Sequence, residues 1–212
     1  MNTSIYKYLG YIPHLFVLIT YIACIFLLLL KRVVYYQLKY IIYFFSIFFL
    51  TIITFFVPLQ QKYILSEITI LIDLLFFLIM MRIYEYKIYS IMILSFILLL
   101  YVYFLQYFSH NLIVSLLSIS SCLAVFLISL FSLRSSIKNK DSQEFIESKF
   151  WFYASYLFYS ILMMACDLTI VIGQFNADSL TVFLIYYVIF IIWIIKSILL
   201  TKSYLCLLKI NF

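Results

Sequence analysis

Charge is what this sequence has least of. Only 10% of its 212 residues are Asp, Glu, Lys or Arg, against about a quarter in water-soluble domains. That is too little polar surface to cover a globule, so an ordinary soluble domain is excluded. Gly and Pro occur only twice each. So few breakers predict long uninterrupted helices, and they argue against the paired Gly- or Pro-broken helices common in secondary transporters. Cysteine is sparse too. Cys24, Cys122, Cys166 and Cys206 form neither a disulfide framework nor a zinc-knuckle spacing. The first three fall in apolar runs and read as small packing residues. Cys206 falls in the C-terminal tail, where acylation is the sharper alternative.

What is present is apolar and aromatic. Hydrophobic residues make up 68% and aromatic residues 22%, and the mean hydropathy is +1.20. The solvent for most side chains must be lipid. Seven apolar runs, at 9–30, 40–59, 63–81, 88–105, 112–133, 150–173 and 180–200, approach the ~20 residues needed to cross a bilayer. They are too long and unbroken for barrel strands, which alternate over about 10 residues. The expected fold is all-α: a polytopic transmembrane bundle of about seven helices. Residues 1–212 are expected to form a single transmembrane domain with no soluble domain. Most connections are short, which makes neighbours antiparallel. The longest lies at 134–149, where Asp141 and Glu144 resemble a helix start. The sixth helix is therefore expected to begin before it enters the membrane.

The formal net charge of +6 would raise nucleic acid as a partner of a soluble protein. Here the basic residues flank apolar runs, where they face anionic headgroups instead. Eleven lie on one side: Lys31, Arg32, Lys39, Arg82, Lys87, Arg134, Lys138, Lys140, Lys149, Lys202 and Lys209. Lys7 and Lys62 lie on the other. The positive-inside rule then puts the N-terminus outside and the C-terminus in the cytoplasm. The first run lacks a basic leader and is followed at once by Lys31 and Arg32, so it reads as a retained anchor.

Four ionisable residues fall inside runs: Glu67, Asp73, Asp167 and Lys196. Each carries an insertion penalty of about 2.5–3.5 kcal/mol at mid-membrane and is a functional candidate by default. Ser66, Thr69 and Ile70 share a helical face with Asp73, which is expected to point inward with local hydrogen-bonding partners. Glu67 lies off that face, one turn nearer the outside. The blander reading of both acids is polar glue that fixes packing. Asp167 shares a face with Tyr153, Tyr156, Ser160, Met163, Met164 and Gln174, a stripe suited to line a cavity. Lys196 has a stem long enough to snorkel to the cytoplasmic headgroups. The alternative is an ion pair with Asp73, across a depth difference of about 9 Å when each helix is counted from the start of its run. Asn111, Ser118, Ser121, Cys122, Ser129 and Ser132 form a small-residue packing seam. His14 and His110 sit near the ends of runs and, with the acids, show no metal-ligand spacing. No cofactor, metal or catalytic set is read from the sequence.

Seven runs with Asp73 in the third and Lys196 in the last bear a general likeness to microbial rhodopsins. That family has an Asp four residues before its Lys, where this chain has Ile192, and an aromatic after its Asp, where this chain has Leu74. The chain resembles more closely the small uncharacterised bacterial seven-helix integral membrane proteins, through Tyr63-Ile64-Leu65-Ser66-Glu67 and Phe150-Trp151-Phe152-Tyr153. That likeness implies topology and a bacterial inner-membrane location, but no chemistry. Three functions follow as expectations. The first is a sensor or accessory subunit that binds a small ligand or partner helix. The second is a small proton- or cation-coupled transporter or channel. An intramembrane lipid enzyme is third, because the acids lie at different depths. Asp73 and Asp167 are expected to face one interior cavity.

Overall fold

Every described element of the computed structural model is a helix. The structure describes residues 11–30, 34–56, 59–84, 112–136, 143–173 and 179–208. They form α1 (Tyr11–Leu30), α2 (Val34–Phe56), α3 (Leu59–Ile83), α4 (Leu112–Ser136), α5 (Gln143–Gly173) and α6 (Ser179–Leu208). Three of these contain stretches long and apolar enough to cross a membrane: Ile12–Leu30, Phe145–Thr169 and Tyr187–Leu207. Shorter apolar stretches occupy Gln37–Ile53 and Ser118–Arg134. The fourth expected run, 88–105, lies outside the described residues.

Two boundaries differ from the sequence reading, each for a local reason. The break between the second and third runs was expected at the polar triplet Gln60-Gln61-Lys62. Instead α2 ends at Phe56 and α3 begins at Leu59. Pro58, which lacks an N–H and disfavours helical geometry in the residue before it, falls in the interval between the two helices. The last helix runs on to Leu208, and Cys206 is a buried helical residue rather than part of a tail. As expected, α5 begins well before the apolar run at 150, at Gln143.

Helix α6 packs against α5, α1 and α2, while α4 packs on α5, α1 on α2 and α2 on α3. The contacts also fix direction. At one end the hydroxyls of Tyr40 and Ser203 lie 3.2 Å apart and those of Tyr84 and Ser148 3.0 Å apart, and Ser203 donates to the Ser148 carbonyl at 2.9 Å. Deeper in the bundle, Tyr43, Asp73, Tyr156 and Lys196 meet. Thus α2 and α5 run away from the first cluster, and α3 and α6 run towards it. Gln37 donates to the Leu28 carbonyl at 2.7 Å, so α1 also runs towards that end. Ser118 meets Asp167, while Cys122 and Val125, later in α4, share a small cavity with Tyr156 and Ser160, earlier in α5, which makes α4 antiparallel to α5. Helices α3 and α4 therefore point the same way, and Ile83 and Leu112 lie at opposite ends of the bundle. Lys39, Arg82, Lys149 and Lys202 all lie within a few residues of the tyrosine–serine cluster in sequence, and that end is the basic one.

The surface is apolar and the interior carries the polar groups. Phe16, Ile19, Phe26 and Leu30 on α1, Phe49 and Phe56 on α2, Phe131 on α4, and Leu184, Ile191 and Ile198 on α6 are exposed. Asp73, Lys196, Ser118, Ser121, Ser148 and Ser203 are buried. This inverts the usual arrangement of a soluble protein and suits a hydrocarbon surround. The core between α3 and α5 is aromatic. Phe77 stacks on Phe152 at 5.7 Å with an interplanar angle of 12°, and Tyr84, Tyr153 and Tyr156 crowd the same ring.

Candidate functional site

The interior polar site centres on one carboxylate. Asp73 is 2% exposed and Lys196 is fully buried, and the Lys196 ammonium donates directly to Asp73 Oδ1. Two tyrosine hydroxyls donate to the same oxygen, Tyr43 at 2.7 Å and Tyr156 at 3.2 Å. Tyr156 also reaches the Asp73 carbonyl oxygen at 3.3 Å. The carboxylate is thus held from α2, α5 and α6 at once. The ammonium lies 4.2 Å from the ring centroid of Tyr156, 3.8 Å from that of Tyr159 and 4.9 Å from that of Trp193. These aromatic faces stabilise a cation that is buried away from bulk solvent.

Lys196 therefore does not snorkel, and this corrects the preferred sequence reading. The depth difference was overestimated because the third helix starts earlier than its apolar run. Counted from Leu59 and Ser179, Asp73 and Lys196 lie about 21 Å and about 26 Å along their helices. The remaining 5 Å or so is within reach of two side chains. A buried cation beside a buried anion is far less costly than either alone.

The second acid is placed differently. Asp167 is part-buried, and its Oδ2 accepts a hydrogen bond from Ser118 at 2.8 Å. Ser118 was read as a packing residue and turns out to be a polar partner. A small cavity of about 10 Å³ between α3, α4 and α5 is lined by Asp73, Ser118, Ser121, Cys122, Tyr156 and Ser160, among others. That is about the room a single water needs. Asp73 lines this cavity itself, whereas Asp167 adjoins it through Ser118.

Comparison with family models, with curated proteins and with solved structures finds no match. The site must be read from its own chemistry.

Of the residues expected at the site, Asp73 and Lys196 are joined directly, and Ser160 lines the cavity while donating to the Tyr156 carbonyl at 2.7 Å. Ile70 lines the cavity beside Asp73, and Thr69 is half-buried on the same helix. Tyr43, Tyr156 and Lys196 donate to the Asp73 carboxylate from three other helices. The side chains of Ser66 and Glu67 lie outside the described residues, as does Gln174. Tyr43 was missed. With 21 tyrosines in the chain, no signal in the sequence distinguishes the one that faces Asp73.

Proposed function

We propose that this chain is a seven-span protein of the bacterial inner membrane that works by protonation of Asp73. The parallel run of α3 and α4 supports the count. A chain leaving α3 at one end and entering α4 at the other has to return between them, and the apolar run 88–105 lies in that interval. The basic end faces the cytoplasm by the positive-inside rule. Cysteine labelling checks this orientation. In a Cys-free background, Asp178→Cys is expected to react with an impermeant maleimide from outside and Lys140→Cys only from inside. The reverse pattern would overturn the topology.

The observation that carries the functional reading is the buried Asp73–Lys196 pair beside a water-sized cavity. Protonation of Asp73 removes the counter-ion of Lys196 and leaves a buried ammonium against ring faces and a neutral carboxyl. That state favours movement of α6 relative to α3, so proton uptake is coupled to helix packing. A cavity of this size admits water or a proton but not an organic molecule, which favours proton- or cation-coupled transport. In proteoliposomes with an imposed potential, the wild-type protein is expected to move protons and Asp73→Asn to abolish the flux. Inert wild-type vesicles would remove the transport reading.

A sensor or accessory subunit is the second reading. The pair and its tyrosines tie α2, α3, α5 and α6 at one point, so a partner helix or ligand that shifts any one of them would be felt by all. Capture of a stoichiometric membrane partner from native membranes supports this reading, and a strictly solitary protein removes it.

A further inference from the structure

The cavity beside Asp73 has a second carboxylate at its edge. Ser118 on α4 lines the cavity and also donates to Asp167 on α5 at 2.8 Å. Asp167 is part-buried and lies away from the basic end, whereas Asp73 is sealed inside the bundle. Between them, Ser118, Ser121, Tyr156 and Ser160 offer hydroxyl groups around a space for one water. A water held by such polar partners is a normal structural component of a protein interior.

We propose that Asp167 and Ser118 form the proton port of the Asp73–Lys196 site. This rests on the proton-coupled reading above and assigns its entry route. In the resting arrangement Ser118 donates to Asp167. When Asp167 takes a proton from the outside, the hydroxyl turns to accept from the acid and to donate to the cavity water. The Asp167 proton passes to Ser118 as the serine's own proton passes to the water. The water in turn gives one to an oxygen of Asp73. One proton leaves Asp167 and one arrives at Asp73, while Ser118 and the water end as they began. No electron changes place.

The groups around the two acids fit such a route. Asp73 is faced by Tyr43 from α2, Tyr156 from α5 and Lys196 from α6, with Tyr21 of α1, Cys122 of α4 and Tyr159 of α5 within electrostatic reach. Asp167 is faced by Ser118, with Cys122 and Tyr159 in reach and Cys166 beside it. Among these groups Lys196 is the one cation, so an arriving proton finds its acceptor at Asp73 and its effect at Lys196.

The test uses the full chain in lipid nanodiscs and infrared detection of the protonated carboxyl band after a pH jump. Loss of the band in Asp73→Asn assigns it. Ser118→Ala and Asp167→Asn are each expected to slow the appearance of the Asp73 band about a hundredfold, the size of effect a positioned proton-transfer group contributes, with the final amplitude unchanged. Ser118→Thr keeps a hydroxyl and is expected to restore the wild-type rate, which separates proton transfer from packing. Wild-type rates in both Ser118→Ala and Asp167→Asn would overturn the port while leaving the proton-coupled reading intact. A wild-type band that does not titrate at all would overturn that reading, and the port with it.

Discussion

Lys196→Met is expected to destabilise the protein by about 3–5 kcal/mol, the penalty for leaving one member of a buried ion pair uncompensated. Asp73→Leu is expected to be at least as severe. It strands the ammonium and also removes the acceptor used by the Tyr43 and Tyr156 hydroxyls, and each orphaned buried donor costs about 1–3 kcal/mol. Asp73→Asn combined with Lys196→Met is expected to recover most of the loss. The Asn oxygen still accepts from both tyrosines, and the interior then holds no charge at this point. Ser129→Ala is the comparison. Ser129 is fully buried, but its hydroxyl has no hydrogen-bond partner among the described residues, so its removal orphans no partner and is expected to be neutral or slightly stabilising. Reversible unfolding in mixed micelles measures all four. Equal losses in Asp73→Leu and Ser129→Ala would show that the ion pair contributes nothing to the fold.

Phe152→Ala is expected to produce the largest loss from packing alone. The ring is fully buried and lies 5.7 Å from Phe77, 5.1 Å from Tyr156 and 5.4 Å from Tyr84, centroid to centroid. Truncating such a side chain costs about 3–5 kcal/mol in soluble proteins, from lost transfer energy and from the cavity left behind. In a bilayer the transfer part shrinks, because lipid tails are as apolar as the core. The cavity part persists, so a loss near the lower end, about 3 kcal/mol, is expected. Phe131→Ala on α4 removes a ring that is 62% exposed, and in the proposed bilayer setting lipid fills its place, so little change is expected. A Phe131→Ala loss as large as that of Phe152→Ala would mean that this face is covered by protein rather than lipid. The same unfolding assay reads both, and its result also bears on the proposed topology.

Much of the helical framework is legible from hydropathy alone. The first run, read at 9–30, appears as Tyr11–Leu30, and that at 112–133 as Leu112–Ser136. A run of this kind has no alternative in lipid, where each backbone group must be paired within its own helix. Errors arose where the end of a run is not the end of a helix. The polar residues Gln60, Gln61 and Lys62 belong to α3, because helix formation requires no apolar side chains. Helix α6 continues past Leu200 through Lys202 and Ser203 for the same reason. These shifts matter to the site, because the start of α3 sets the level of Asp73 relative to Lys196.

Composition and run length by themselves determined that this protein is helical and that its exterior is apolar, since 10% charged residues cannot solvate a globule and unbroken apolar runs satisfy their backbone only as helices. The basic residues likewise marked one end of the bundle before any contact was known. Which polar residues meet was decided only by tertiary structure. Asp73 joins Lys196 across 123 positions, Tyr156 across 83 and Tyr43 across 30, while Ser118 joins Asp167 across 49. Such pairings depend on the rotation and vertical offset of each helix against its neighbours. A helical periodicity specifies which side chains share a face, but the packing of one face on another specifies which oxygen a given ammonium or hydroxyl can reach.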